Sequence, residues 1–334
     1  MKSMLLKIAS LRLTAIGIGL VIATTFIGNR YPDIGFSWTA LPFGLLSLNL
    51  IAALITNRAF RRQSALMVFH VCLLAVFVIA GLGVLTGFEG HVELVEGEQF
   101  HHETVETTRA GIWHRPGLQE LRFSQGDIEV NYAPGLVRQS TRSMLFGDSS
   151  ELAGTAVIGD RAAAVIDDYR FSTSFNKGYA VILRWTDESG DTQFGSINFP
   201  SYPEYEWKQV NDWVAPGGEH LALELKLTDQ APRHDAWTLV SGATSYAVEI
   251  TGHGITRNLL REGDSVALSG GTLRIEDLRL WMGYRIDCNP LLPWLFAAAI
   301  LALIALALHF QAKFWPARRT AGLQKQGGIA IYDA

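Results

Sequence analysis

The sequence predicts a membrane protein with four transmembrane α-helices, three N-terminal and one C-terminal, plus a large β-rich, sandwich-like extracytoplasmic domain. The first observation behind this prediction is an uneven distribution of apolar residues. The chain of 334 residues is 49% hydrophobic and 18% charged, but its long apolar runs lie only in 1–86 and 289–312. The second observation is that several runs within 87–288 alternate between apolar and polar residues or are rich in β-forming residues, as strands are.

Four segments are long and apolar enough to cross a bilayer, because roughly 20 apolar residues at about 1.5 Å each span a core of about 30 Å. The first segment is short enough for a signal peptide. However, no small-x-small cleavage site follows it, and a second apolar run comes soon after, so we predict a retained anchor. The predicted spans are 13–28, 38–56, 64–86 and 289–312.

Basic residues predict the orientation of the spans, since they concentrate on the cytoplasmic side of short loops. They precede the first span, separate the second from the third and follow the fourth, whereas the 29–37 loop has only Arg30. We therefore expect a multi-pass membrane protein with both termini and the 313–334 tail in the cytoplasm and residues 87–288 on the other side, in the periplasm or outside the cell. The residues concerned are Lys2, Lys7, Arg12, Arg58, Arg61, Arg62, Lys313, Arg318, Arg319 and Lys325.

The region between the third and fourth spans is predicted to be β-rich, because several runs of β-forming residues are separated by Gly, Asp, Asn and Ser. These runs are HVELVEG, YAVILRW, LALELKL, YAVEI, DSVALSG and GTLRIEDLRL. The net charge of −4 gives no indication of nucleic-acid binding. Two cysteines exclude a disulfide-stapled framework.

The sequence contains none of the common catalytic motifs HExxH, GxSxG, GxGxxG or a P-loop, so we predict no catalytic residue. The consecutive His101, His102 and Glu103 are typical of a solvated turn rather than a metal site. Asp167 and Asp168 would point to opposite faces of a strand and are not predicted to form an acid/base pair. Trp207 and Trp213 are interpreted as packing residues.

His70 is an imidazole within the apolar third span, about 9 Å from its cytoplasmic end. A buried imidazole needs a hydrogen-bond partner or a metal. The neighbouring side chains on its own helical face, such as Met67 and Leu74, are apolar, so we expect the partner to come from another helix or a cofactor. Neutral histidine is a common axial ligand of haem iron. The alternative is a packing histidine bonded to a hydroxyl or carbonyl of a neighbouring helix.

Four further residues are secondary candidates. His309 lies near the inner end of the fourth span, at a depth close to that of His70, or is simply interfacial. His91 directly follows the third span. Cys288, at the outer end of the fourth span, is a candidate redox thiol that could exchange with a thioredoxin-like thiol reductant, or it is unreactive. Cys72 diverges from His70 by about 200° around the helix and is interpreted as a packing residue.

The arrangement of the spans and their local sequences resemble the ResB (CcsB) family of system II cytochrome c biogenesis proteins. SLRLTAIGIGLVIATTFIGNRYP is similar to the family's first span, SLNLIAAL to its second and FHVCLLAVFVIAGLGVLTGFEGHVELVEGE to its third. GYRIDCNPLLPWLFAAAILALIALALHFQAKFW is similar to its entry into the last span, with Asp287-Cys288-Asn289-Pro290 in place of the family's Asp-Pro-Gly.

The resemblance implies a role in delivering haem and attaching it to apocytochrome c, together with a membrane partner of the CcsA or ResC type. It also implies the bacterial inner membrane, with residues 87–288 on the periplasmic side. It implies haem b as the cofactor, and His70 occupies the position of the histidine that holds haem in that family. Two other function classes stay open: a membrane scaffold or adaptor that docks cytochromes or another complex without haem, and an electron-transfer subunit with bound haem.

Overall fold

The computed structural model describes residues 2–31, 36–148, 153–204, 208–242, 244–252 and 255–314. The chain divides into two compact units. The membrane unit comprises residues 1–87, 110–114 and 289–334, and the β unit comprises residues 88–109 and 115–288. The helices are α1 (Lys2–Ile8), α2 (Leu11–Arg30), α3 (Ala40–Thr56), α4 (Arg58–Arg62), α5 (Ser64–Thr86) and α6 (Leu292–Phe314).

Among the described residues, four helices are long and apolar enough to cross a membrane, which confirms the predicted number and order of spans. They are α2, α3 with the turn before it (Ser37–Thr56), α5 and α6. Helix α5 has the predicted bounds, whereas α2 and α6 continue to Arg30 and Phe314. Arg30 and Lys313 lie in the last turns of these two helices. Their long aliphatic stems allow the charged groups to reach the membrane–water interface while the backbone stays helical. Residues 315–334 of the predicted tail lie outside the described residues.

Small residues allow the helices of the membrane unit to approach closely. Ala298, Ala302 and Ala305 are the buried residues of α6 and form a stripe at helical spacing. Gly17 of α2 faces Leu46 of α3 so closely that an added Cβ would lie 2.6 Å from a Leu46 methyl. The membrane helices therefore use backbone proximity, because the bilayer itself provides no hydrophobic drive for their association.

Asn49, which is buried in α3, anchors the break between α1 and α2. Its Nδ2 donates to the carbonyl oxygens of Ile8 at 2.5 Å and Ser10 at 3.2 Å. Its Oδ1 accepts from the Thr14 hydroxyl at 2.8 Å. The carbonyl of Ile8 lies at the end of α1, where no following turn supplies an amide, so Asn49 satisfies a group that would otherwise be unpaired.

The segment 110–114 returns to the C-terminal end of α5 within the membrane unit. The amides of Gly111 and Trp113 donate to the carbonyl oxygens of Gly87 at 2.9 Å and Leu85 at 2.8 Å. The His114 ring nitrogen Nδ1 lies 3.1 Å from the Thr86 carbonyl oxygen. These bonds satisfy the last carbonyl groups of α5, which have no partner inside the helix.

The described residues of the β unit form three antiparallel sheets, which confirms the β-rich prediction and is one sheet more than a simple sandwich has. Its strands are β1 (Phe88–Val95), β2 (Glu106–Ala110), β3 (Phe123–Ala133), β4 (Val137–Asp148), β5 (Ala153–Gly159), β6 (Ala164–Ile166), β7 (Tyr169–Asp187), β8 (Thr192–Asn198), β9 (Val210–Val214), β10 (His220–Leu227), β11 (Trp237–Leu239), β12 (Tyr246–Gly252), β13 (Ile255–Leu260), β14 (Ser265–Leu268) and β15 (Gly271–Cys288).

The largest sheet has seven strands in the order β2-β1-β15-β7-β6, with β14 also paired to β15 and β8 to β7. The second sheet has the order β13-β12-β10-β9 and the third β11-β3-β4-β5. The central strands β7 and β15 have 19 and 18 residues and are largely buried. Burial is continuous over 177–181 and 280–284, where both faces of the sheet are covered, and it alternates along much of the rest of the two strands.

A buried polar network joins the seven-stranded sheet to the β3–β4 hairpin. The Tyr284 hydroxyl of β15 donates to Gln125 Oε1 at 2.6 Å and is also hydrogen-bonded to the Ser143 hydroxyl. All three residues are buried. Because buried polar groups are costly when unpaired, this network fixes how the two sheets pack on each other.

Candidate functional site

The candidate site is centred on His70, in the first half of α5. The sequence SALMVFHVCLLAVFVIAGLGVLT is apolar throughout and forms one helix of 23 residues. The short helix α4, with the sequence RAFRR, precedes it and is separated from it by Gln63. At about 1.5 Å per residue, His70 lies about 9 Å from the start of α5.

One ring nitrogen of His70 is satisfied within its own helix. Nδ1 lies 2.8 Å from the carbonyl oxygen of Leu66, one turn earlier. The prediction that the partner must come from another helix or a cofactor was therefore wrong for this nitrogen, because only neighbouring side chains were considered. A carbonyl can only accept, so Nδ1 carries the proton in the neutral ring and Nε2 presents its lone pair.

Two aromatic rings surround the His70 imidazole. The Phe60 ring of α4 has its centroid 4.2 Å from that of His70 at an interplanar angle of 39°, and the Phe69 ring lies 4.9 Å away, edge-on. Within the described part of the chain, Nε2 has no hydrogen-bond partner. The result is a half-buried imidazole with a fixed tautomer and a free lone pair. Sequence reasoning missed Phe60, since it lies in a predicted loop.

The helix that supplies Phe60 also carries positive charge. Arg58 and Arg62 are exposed and, four residues apart, share one face of α4. Phe60 is about 200° from Arg58 around the helix, so the apolar contact with His70 and the two charges lie on different sides. The two guanidinium groups therefore lie on the exposed side of α4, away from the side that contacts His70.

His309 and Cys72 are the other candidates in the membrane unit. His309 is half-buried in α6 and contacts the Phe310 ring at 5.5 Å. Gly83 of α5 lies beside Asn289, just before α6. His70 is 13 residues, about 20 Å, from Gly83 along α5, and His309 is 17 residues, about 26 Å, from Leu292 at the start of α6. Among the contacts of the described residues, none joins the two histidines. Cys72 is half-buried and has a free thiol.

His91 lies on β1 of the β unit, beside Glu93 on the same face of the strand. Its Nε2 is 3.9 Å from Glu93 Oε1, an ion-pair distance too long for a hydrogen bond. The Glu93 carboxylate raises the pKa of His91 above its usual value, against the opposing effect of burial, and His91 lowers the pKa of Glu93. Glu93 also accepts from Asn198 Nδ2 at 2.9 Å.

Cys288 is the last residue of β15 and is buried, with a free thiol. Burial, aided by the carboxylates of Asp168 and Asp167, raises the pKa of this thiol to about 11. Thiol–disulfide exchange proceeds through the thiolate, so this environment disfavours the exchange that was predicted for a redox-active Cys288.

The remaining sequence-predicted groups have structural roles where the structure describes them. His101, His102 and Glu103 are exposed in a turn that contains a short 3-10 helix, His102–Thr104, which confirms the predicted turn. Asp167 and Asp168 both have positive φ angles, 48° and 65°, and form the two-residue turn between β6 and β7. Trp213 packs against the core, and Trp207 lies outside the described residues.

Among the described residues, no group of three or more His, Cys, Asp or Glu side chains could hold a metal ion.

No family model matches the chain, and the search of curated proteins found no match. Among solved structures, the chain is similar to the cytochrome c haem lyase CcmF, with 12% identity and a TM-score of 0.28 over 89% of this chain. The match covers 34% of that protein, so the chain spans about one third of its length. A likeness of this size supports no conclusion on fold or function.

Proposed function

We propose that the chain is a cytochrome c biogenesis protein that binds haem through His70 and acts with a CcsA/ResC-type membrane partner in delivering haem to apocytochrome c. The observation that carries the proposal is the state of the His70 ring. Its Nδ1 is bonded to the Leu66 carbonyl oxygen, and its Nε2 is free. This is the arrangement of a histidine ligand whose orientation and tautomer are fixed by a second hydrogen bond.

The surroundings of His70 fit haem in one further respect. Phe60 and Phe69 give the imidazole apolar aromatic neighbours, which suit a macrocycle with an apolar body. Bound haem would supply a redox-active iron, while this chain would orient the ligand and shield one edge of the site.

The topology supports the proposed partners. The three N-terminal spans and the C-terminal span have the order found in the ResB family, which the sequences of the spans also resemble. Under the predicted orientation, α4 and His70 lie near the cytoplasmic face and the β unit lies in the periplasm. A second iron ligand would then come from the partner, with His309 of this chain as the alternative.

One observation favours a different function, that of a scaffold or adaptor without haem. The bond from His70 to Leu66 already satisfies one ring nitrogen, so a packing histidine would tolerate this environment. In this function the β unit would dock cytochromes or another complex, and replacement of His70 would not change the haem content of the purified protein.

Haem content distinguishes the two functions. The chain is coexpressed with a CcsA-type partner, purified in detergent and analysed by reduced-minus-oxidised spectra. We expect a b-type haem spectrum from the wild type and its loss in His70→Ala. The matched control is Cys72→Ser, which changes a half-buried residue on another side of α5 and should keep the spectrum. Equal haem content in wild type and His70→Ala would exclude haem binding through His70 and would support the scaffold function instead.

A further inference from the structure

Two sheets of the β unit end in edge strands that face a common cleft. Strand β8 is an edge of the seven-stranded sheet, and β9 is an edge of the β13-β12-β10-β9 sheet. Residues of both strands line two cavities. One, of about 220 Å³, includes Phe194 and Trp213, and the other, of about 380 Å³, includes Asn198 and Asn211. The cleft therefore runs along β8, with β9 antiparallel to it on the opposite side.

The hydrogen-bond register shows which backbone groups of β8 point into the cleft. The Phe199 amide donates to the Tyr179 carbonyl oxygen, and the Asp187 amide donates to the Asp191 carbonyl oxygen. The bonded pairs of an antiparallel ladder recur every two residues, so Gln193, Gly195 and Ile197 bond to β7. The backbone groups of Thr192, Phe194 and Ser196 consequently point away from β7, toward the cleft.

The facing edge of β9 has the same character. The Leu225 amide donates to the Gln209 carbonyl oxygen and the Ala215 amide to that of Glu219, which leaves the backbone groups of Val210, Asp212 and Val214 pointing outward. The two strands are joined at one end, where Asn211 Nδ2 donates to the Asn198 carbonyl oxygen at 2.7 Å. In the part of the chain that the structure describes, no backbone hydrogen bond links β8 to β9.

Strand β8 lacks the features that usually protect a sheet edge. Its sequence, TQFGSIN, contains no charged residue and no proline, whereas edge strands commonly carry charges, proline or bulges that prevent pairing with another chain. Its first five residues are exposed, and the Phe194 side chain is 69% exposed. A neutral, exposed and unpaired edge next to an apolar cavity is a surface that accepts another strand.

We propose that β8 is a docking edge for an extended segment of another polypeptide, which adds to the seven-stranded sheet as a further strand. The unpaired N–H and C=O groups of Thr192, Phe194 and Ser196 repeat at the two-residue period that only a polypeptide backbone matches. The cavity beside Phe194, Trp185 and Trp213 would take one large apolar side chain of that segment. This inference is independent of haem binding by His70.

The test uses the full chain in detergent and a fluorescent ten-residue peptide of alternating threonine and valine, with one central valine replaced by phenylalanine for the cavity and with lysines at both ends. Its counterpart is methylated on alternate backbone nitrogens, along the edge that would pair with β8. We expect saturable binding of the first peptide by fluorescence anisotropy and binding weakened by about tenfold or more for the methylated peptide, since each lost bond also adds a clash. Both peptides are tested with the wild-type protein, so a difference in binding cannot come from misfolding of a variant.

A protein variant tests the same edge. Ser196→Pro removes an N–H that makes no bond to β7, and proline is tolerated on the open side of edge strands. We expect it to weaken peptide binding about tenfold, whereas Ser196→Thr should bind within about twofold of wild type. Equal binding of the two peptides, equal binding by Ser196→Pro, or no saturable binding overturns the proposal. Self-association through β8, seen as a dimer in wild type and a monomer in Ser196→Pro, also overturns it in favour of a second copy of the chain.

Discussion

Replacement of Asn49 by leucine should destabilise the membrane unit through the break between α1 and α2. The substitution removes three hydrogen bonds, two donated to the carbonyls of Ile8 and Ser10 and one accepted from Thr14. Hydrogen bonds between membrane helices contribute about 0.6 kcal/mol each on average, so the direct loss is about 2 kcal/mol. The Ser10 carbonyl keeps its bonds to the amides of Leu13 and Thr14, so the main unpaired group would be the Ile8 carbonyl.

The assay is reversible unfolding of the full chain in mixed micelles with increasing SDS, followed by tryptophan fluorescence. The control is Thr56→Val, which removes a single bond to the Ala52 carbonyl within α3 itself and should lower the free energy of unfolding by less than about 0.5 kcal/mol. If Asn49→Leu changed the free energy of unfolding no more than this control, the role assigned to Asn49 would be refuted.

Three further predictions concern the β unit. Since the pKa of His91 is raised by Glu93, the stability that the pair contributes is present below about pH 6.5 and is lost as the pH rises through the higher folded-state pKa. His91→Gln should therefore lower the free energy of unfolding by about 0.5 kcal/mol at pH 5.5 and leave it unchanged at pH 9; an equal effect at both pH values would contradict the pairing. Tyr284→Phe should cost about 2 kcal/mol in denaturant unfolding, because it leaves Gln125 and Ser143 without their shared partner, and a neutral result would show that the network relaxes. With a pKa of about 11, Cys288 should react with iodoacetamide far more slowly than glutathione at pH 8 and accelerate toward pH 11; rapid alkylation at pH 8 would restore it as a redox candidate.

The membrane helices were largely predictable because hydrophobic length alone determines them. Helix α5 ends where Gln63 and Gly87 interrupt the apolar run, and these interruptions are visible in the sequence. The break between α1 and α2 was missed, because Ser10 acts there as a helix N-cap inside an otherwise apolar segment. The partner that stabilises this break, Asn49, is distant in sequence, so local patterns contain no signal for the contact.

The β-rich unit was predicted as a class but not in its arrangement. The runs that became β1, β7, β10, β12 and β15 have clear alternation. The hairpin of β3 and β4 was missed, because polar residues such as Gln125 and Ser143 occupy buried positions, where they bond to Tyr284 of β15. Buried polar residues of this kind interrupt the alternation of apolar and polar residues in the sequence. Their hydrogen bonds also determine which sheets pack against each other.

The candidate site was only half predictable. His70 stood out as an imidazole in an apolar helix, and the structure describes it there as half-buried. Its bond to the Leu66 carbonyl and its contact with Phe60 were missed. The first requires the backbone of its own helix to be treated as a partner. The second depends on a short helix in a segment whose arginines indicated only a cytoplasmic loop.

The central claim, that His70 Nε2 is an iron ligand, is tested most directly by chemical rescue. The chain with His70→Gly, coexpressed with a CcsA-type partner and purified, is titrated with imidazole while the haem spectrum is recorded. We expect the b-type spectrum to be lost in the variant and restored by imidazole, which would occupy the vacated position beside Phe60. A variant that keeps the wild-type spectrum before any imidazole is added would contradict the claim.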